Sequence, residues 1–219
     1  MNRKYFRIVI LVGLLSLIGI QSYSQGMPYI KEHNSRRHKG FFLSYAPGLN
    51  YTNVEMTGNY GTTTVKGLGG GMDLKIGGTL TENLILHATI IGHGVFEPKL
   101  YGDGIQDATT AQNVDLGEVM LGVGITYYTP DNFLFSTSMG LGGFTLTNEE
   151  EDIDGSSDNG FSFQLKAGKE WWVSRKLGLG LAVIYHYTNV LNLKGSVDEE
   201  RLVSNTYGIL LNATINGRK

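Results

Sequence analysis

The chain contains no cysteine and only four prolines, against 31 glycines in 219 residues. The absence of cysteine excludes disulfides and a lipid-modified N-terminus. No segment shows the apolar period of an amphipathic helix. Together these features predict an all-β protein.

Long apolar runs are also missing, with one exception at the N-terminus. Residues 8–20 are all apolar or small, with the basic Arg3, Lys4 and Arg7 before them and Ser22 and Ser24 after them. A charged start, a short apolar run and small residues are the three parts of a secretory signal peptide. A membrane anchor is the alternative, but a spanning helix needs about 20 apolar residues. We therefore expect residues 1–24 to be a signal peptide.

Basic residues are in the minority once that segment is removed. Three of the 18 Lys and Arg residues lie in it, and all 20 Asp and Glu residues lie beyond it. The resulting net charge, about −5, argues against a nucleic-acid partner. Residues 25–39 have no period and end in a basic cluster, so we expect a solvated periplasmic tail there, with contact to anionic lipid heads or peptidoglycan as the alternative. Residues 40–219 then form one domain.

The segment Leu177–Asn189 alternates two kinds of side chain. One face is large and apolar and ends in Tyr185 and Tyr187, whereas the other is small and includes His186 and Thr188. A strict period of two predicts a β-strand. A large apolar face opposite a small or polar one is typical of a transmembrane barrel strand, in which the apolar side meets lipid. A soluble lipocalin-like barrel, with the two faces reversed, is the alternative.

The same alternation recurs along the chain and gives eight predicted strands, at residues 41–51, 64–78, 84–96, 114–128, 133–147, 161–173, 177–189 and 203–215. Short turns are predicted at 79–83, 129–132 and 174–176, and longer polar loops at 52–63, 97–113, 148–160 and 190–202. Short turns on one rim and long loops on the other are the layout of outer-membrane barrels. We therefore predict an eight-stranded antiparallel transmembrane β-barrel with short periplasmic turns and long extracellular loops.

Outward-facing aromatic residues fall at two levels of this barrel, as expected where amphipathic rings lie at headgroup depth. The predicted girdle at the short-turn rim consists of Phe41, Tyr127, Phe133 and Trp171. The predicted girdle at the loop rim consists of Tyr51, Phe96, Phe161, Tyr185 and Tyr187.

The last strand contains T-Y-G-I-L-L-N-A at residues 206–213. This segment is similar to the signal by which the outer-membrane assembly machinery recognises its substrates, although the chain continues to Lys219 instead of stopping at an aromatic residue. With the strand and loop layout, it makes residues 41–215 resemble the small eight-stranded outer-membrane barrels of the OmpA and OmpX type. The resemblance implies an integral protein of the outer membrane that contacts outer-membrane lipid and lipopolysaccharide.

The inward faces carry charged and imidazole side chains, which form a predicted polar network in the lumen: Asp73, Lys75, His87, Glu118, Lys166, Glu170 and His186. An eight-stranded barrel is just wide enough for its own side chains to fill. Charges in so confined a space are costly unless they are paired. We expect a structural network that plugs the barrel, with a narrow ion or water path as the alternative.

One segment raises the possibility of catalysis. The run His186-Tyr187-Thr188-Asn189 resembles the His-x-Ser-Asn segment of the outer-membrane lipid A deacylases, whose His and Ser act with a later Glu; Glu199 and Glu200 follow here. The sequence departs from that family in having Thr188 for the Ser, and strand parity places His186 inside the barrel. No G-x-S-x-G, H-E-x-x-H or phosphate-binding loop is present. We expect a non-enzymatic protein without a cofactor that has a structural, surface-interaction or adhesion role, with a lipid A-modifying enzyme as the alternative.

The third long loop is strongly acidic. Asp152, Asp154 and Asp158 surround Gly155 at a spacing that offers oxygen ligands to Ca²⁺, but the EF-hand spacing and its closing Glu are missing. A solvated acidic tip is the expected structure. A divalent cation that bridges to lipopolysaccharide phosphates is the alternative.

Overall fold

A computed structural model describes residues 38, 40–59, 61–102, 109–110, 114–148, 153–192 and 200–217. The predicted signal peptide and nearly all of the predicted periplasmic tail, with His38 as the exception, lie outside the described residues. Within the described part of the chain, no helix is long and apolar enough to cross a membrane.

The regular structure of these residues consists of eleven strands: β1 (Phe41–Gly58), β2 (Gly61–Thr81), β3 (Leu84–Phe96), β4 (Lys99–Gly102), β5 (Thr109–Thr110), β6 (Val114–Tyr128), β7 (Phe133–Asn148), β8 (Ile153–Ser156), β9 (Gly160–Trp172), β10 (Leu177–Asn192) and β11 (Glu200–Asn216). The eight long strands pair antiparallel with their neighbours along the chain, and β1 also pairs with β11, which closes the barrel. The short β4, β5 and β8 extend the sheet at the loop end, where β4 pairs with β2 and β8 with β7. The predicted eight-stranded antiparallel barrel is confirmed.

Side chains alternate between the two faces of every long strand, because successive residues of a strand point in opposite directions. On β1 the outward apolar residues run from Phe41 to Tyr51, while Ser44 and Asn50 between them are buried in the lumen. At about 3.3 Å per residue and a tilt of about 40°, this stretch spans about 25 Å, the height of the apolar band of an outer-membrane barrel. The exterior therefore presents a lipid-facing belt.

Four strands continue well past this belt at the loop end. β1 and β2 pair without a break from Thr52↔Gly67 to Gly58↔Gly61, and this hairpin replaces the polar loop predicted at 52–63. β10 and β11 remain paired out to Asn192↔Glu200. Here the polarity of the strand inverts, since Val54 and Val65 point inward and Asn53 and Glu55 point outward.

The opposite rim is built of tight turns. Asn83 and Asn132 have φ values of 66° and 60°, a left-handed conformation that asparagine adopts more readily than most residues. The Asn132 backbone carbonyl accepts a hydrogen bond from the Glu170 amide, and the Asn83 carbonyl accepts one from Tyr128. These turns tie neighbouring strands together at the predicted periplasmic end.

Candidate functional site

The lumen contains a first charged cluster around Asp73. Its carboxylate lies 3.1 Å from the Lys75 ammonium and 3.2 Å from that of Lys166, and all three side chains are almost completely buried. Lys75 also donates a hydrogen bond to Ser136 at 3.1 Å, and Lys166 donates one to Asn212. Asp73 thus forms ion pairs with two lysines. It lies on the inward face of β2, which pairs with β1 and β3.

Glu170 extends this cluster toward the short-turn end. Tyr128 and Thr214 each donate a hydroxyl hydrogen bond to Glu170 at 2.8 Å, and the Asn212 amide donates another. Because Asn212 also accepts from Lys166, one chain of polar contacts joins Tyr128 to Asp73. His87 lies beside this chain, 3.0 Å from Thr126, which donates to Ser136 at 2.8 Å.

A second polar cluster lies closer to the loop end. One Glu118 oxygen lies 3.2 Å from His186 Nε2, and the other accepts hydrogen bonds from Ser204 and Thr206 at 2.9 and 3.4 Å. His93 packs edge-on against His186, with 4.9 Å between the ring centroids. The structure therefore brings the predicted network residues together as two clusters, five residues around Asp73 and a pair at Glu118.

The segment that resembles the lipid A deacylases lies at the same cluster. Ser162 Oγ, Thr188 Oγ1 and Glu118 Oε1 all lie 3.1–3.2 Å from one ring nitrogen, Nε2 of His186. A catalytic triad needs the hydroxyl and the carboxylate on opposite ring nitrogens, so that the carboxylate orients the base. His186, Thr188 and Ser162 are also fully buried. Glu200 pairs with Asn192 at the far end of β10, and Glu199 lies outside the described residues.

Buried apolar side chains that the sequence pattern did not predict lie at both ends of the polar lumen. The outer plug, at the loop end, consists of buried residues from six strands: Val54, Val65, Leu116, Phe144, Val190 and Leu202. The inner plug, at the short-turn end, consists of Phe42, Ile85, Tyr128 and Leu134. The signal was present in the sequence, because the alternation of Val54 and Met56 continues that of Asn50 and Thr52 with the polarity reversed.

His38, which precedes β1 in the chain, packs against the inner plug. Its ring stacks on Tyr128 with 3.5 Å between centroids, lies 5.0 Å from the Trp172 ring, and is 1% exposed. Its backbone N–H donates to the Asn83 side chain at 3.2 Å. Burial lowers the pKa of His38, and contacts with the amides of Asn216 and Asn132 oppose this shift. The predicted tail therefore contacts the barrel at this residue.

The predicted aromatic girdles lie on the outward face. Phe41, Tyr127, Phe133 and Trp171 are exposed at one rim, and Tyr51, Phe96 and Phe161 at the other. Tyr185 and Tyr187 point the same way but are half-buried, because they pack with Phe163 and Tyr207 at centroid distances of 5.2–5.9 Å. The phenol of Tyr185 donates to Asn205 at 2.8 Å.

The proposed cation ligands are only partly described. Asp152 lies outside the described residues, Asp154 lies in β8 opposite Thr147, and the Asp158 backbone N–H donates to Asn192. Among the described residues, no group of three or more His, Cys, Asp or Glu side chains is arranged to hold a metal ion. The solvated acidic tip and its alternative, a divalent-cation site, both stay predictions.

Comparison with known proteins gives the fold and no closer relationship. No protein-family model matches the chain. No curated protein matches it either. The crystal structure of Neisserial surface protein A superposes with a TM-score of 0.51 at 10% identity, covering 80% of this chain and 97% of that one. The outer-membrane protein OprG from Pseudomonas aeruginosa gives 0.50 at 9% identity, covering 83% and 99%. The chain thus has the fold of the small outer-membrane β-barrels.

Proposed function

We propose that this outer-membrane barrel is a non-enzymatic surface protein with a sealed lumen, which acts through the β-structure it raises above the membrane. The observation that supports this most directly is the buried apolar cluster at each end of the lumen. The outer and inner plugs enclose a set of buried charges that are already paired with one another.

The paired charges favour a structural role over conduction. A permeating ion would have to displace the Lys75 and Lys166 ammonium groups from Asp73 and then cross a layer of valine, leucine and phenylalanine. Moving a charge into an apolar layer without a partner is strongly unfavourable. The narrow-channel alternative would require both barriers to open together.

The raised hairpin of β1 and β2 favours a surface role. Its outward face is polar, with Asn53, Glu55 and Thr57 on β1, and its inward face packs into the outer plug. This is the pattern of a water-soluble sheet, and it gives the extracellular part a core of its own. A polar sheet above the lipid surface is suited to contact with a macromolecule or a neighbouring cell surface.

Conductance measurement tests the sealed lumen. We expect the purified barrel, reconstituted in planar bilayers, to show no discrete current steps under conditions where a general porin in the same bilayers conducts. Steps that disappear in Lys166→Met or Glu118→Gln, both inside the lumen, would establish the channel alternative instead.

The lipid A mass profile tests the enzyme alternative. We expect bacteria that produce the wild-type chain and bacteria that produce His186→Ala to have the same lipid A species, because the hydroxyl and carboxylate groups share one nitrogen of a buried imidazole. A loss of acyl chains that requires His186 would show that the protein is a deacylase.

A further inference from the structure

Two lysines face outward at the upper edge of the lipid-facing belt. Lys66 on β2 and Lys99 on β4 are directly opposite each other in the antiparallel ladder. Leu68, which is 75% exposed, is the next outward residue below Lys66 and belongs to the apolar belt. The pair therefore lies at the level where the headgroups of the outer leaflet begin.

This arrangement is unfavourable for the protein alone. Like charges directly opposite each other destabilise an antiparallel pair. Lys66 lies over the Tyr101 ring at 5.4 Å, which holds its ammonium group on the outward side. Glu55 lies opposite Thr64, one outward position further from the membrane, and the ion pairs of the described residues include neither lysine. An anion between the two ammonium groups would remove the repulsion.

The neighbouring residues indicate what kind of anion fits. Asn53 on β1 is opposite Lys66 and also points outward, so an asparagine and two lysines occupy neighbouring outward positions across three strands. Below them the exposed side chains are Leu68 and Tyr51, which match acyl chains and not a water-soluble ligand. We propose that Lys66 and Lys99 bind a phosphate group of a phosphorylated glycolipid of the outer leaflet, with the lipid tails on the belt below.

This inference rests on the membrane orientation proposed above, and not on the sealed lumen. The test uses native mass spectrometry of the detergent-solubilised full barrel with three probes: diphosphorylated lipid A, the same lipid after dephosphorylation, and inorganic phosphate as a competitor. The test variant is Lys66→Gln/Lys99→Gln. The matched control is Lys169→Gln/Lys176→Gln, which removes the same charge at the opposite rim, where Lys169 lies over the Phe133 ring at 4.2 Å.

We expect the wild type and the control to retain phosphorylated lipid A and the test variant to bind it about 30-fold more weakly, which is the factor that two lysines near an anionic lipid surface contribute. Dephosphorylated lipid should bind all three proteins equally weakly. Displacement by millimolar inorganic phosphate would reassign the site to a free anion. Equal retention by the test variant and the wild type, with both still showing a heat-dependent gel shift, would overturn the proposal. Loss in the control alone would place the binding at the opposite rim and overturn the proposed orientation, whatever the conductance result.

Discussion

Asp73 is the residue on which the charge balance of the lumen depends. It is the only carboxylate within 4 Å of either Lys75 or Lys166 among the described ion pairs, and it is 1% exposed. Removing one partner of a buried ion pair leaves an uncompensated charge and costs about 3–5 kcal/mol. We expect Asp73→Asn to lower the free energy of unfolding by this amount, measured by urea titration of the barrel in lipid vesicles.

A second substitution separates charge from packing. In Asp73→Asn/Lys75→Met one of the two stranded cations is removed as well, and we expect about half of the lost stability to return. If the double variant were no more stable than Asp73→Asn, the loss would come from altered packing and the ion pair would not be its cause.

Glycine has a different role on the two faces of one strand. A Cβ added at Gly69, on the inward face of β2, would lie 1.6 Å from the Gly94 carbonyl oxygen, whereas one added at Gly70, on the outward face, would meet nothing closer than 3.8 Å. The inward glycine thus permits the close approach of strands that a narrow barrel requires.

Alanine at these adjacent positions should therefore have unequal effects. We expect Gly69→Ala to destabilise the barrel by about 1–3 kcal/mol, since the strands must move apart. We expect Gly70→Ala, the matched control, to change stability by less than about 0.5 kcal/mol. The same urea titration measures both, and equal losses would show that the inward approach is not the limiting contact.

At the scale of strands and turns, the period of two predicted most of the barrel but not the extent of the long strands. The prediction assumed one polarity, apolar outward and polar inward, so it ended β1 at Tyr51, where that polarity stops. The alternation itself continues through Val54 and Met56 because the strand leaves the lipid and its outward face meets water. The period of two alone, with the polarity free to invert, therefore predicts the inward position of Val54 in the outer plug.

The contact between the N-terminal segment and the inner plug could not be predicted, because a single residue in an aperiodic stretch has no pattern. His38 is buried against Tyr128 and Trp172, and burial lowers its pKa below the ordinary value of about 6.5. The docked imidazole therefore binds protons less readily than the free one. The docked state has its full stability above about pH 6.5 and loses it as the pH falls through that value.

Trp172 reports this contact. Trp171 and Trp172 are the two tryptophans of the chain, so Trp171→Phe leaves a single tryptophan, whose ring centroid lies 5.0 Å from that of His38. We expect its quenching by acrylamide to increase between pH 7 and pH 5 as the protonated imidazole undocks. In His38→Phe the stack is kept without a titrating group, and the same pH dependence in this variant would assign the effect to another residue.

At the scale of the whole molecule, the strand count and the closure between β1 and β11 followed from the repeat of one simple pattern. The arrangement of the lumen did not, because which inward charge meets which is decided by the tilt and stagger of the strands and not by sequence spacing. Asp73 and Lys166 are 93 positions apart in the chain and meet only across the closed barrel. The alternation in the sequence therefore predicts that both side chains face inward, but it does not predict that they form an ion pair.

The orientation of the barrel in the membrane is open to direct measurement because the chain has no cysteine of its own. Asn59, in the turn between β1 and β2, and Arg175, in the turn between β9 and β10, are both exposed and lie at opposite rims. With the raised strands outside, a membrane-impermeant maleimide should label Asn59→Cys on intact cells and Arg175→Cys only after the outer membrane is permeabilised. The reverse order of labelling would place the Lys66–Lys99 pair in the periplasmic leaflet, where the phosphorylated glycolipids of the outer leaflet cannot reach it.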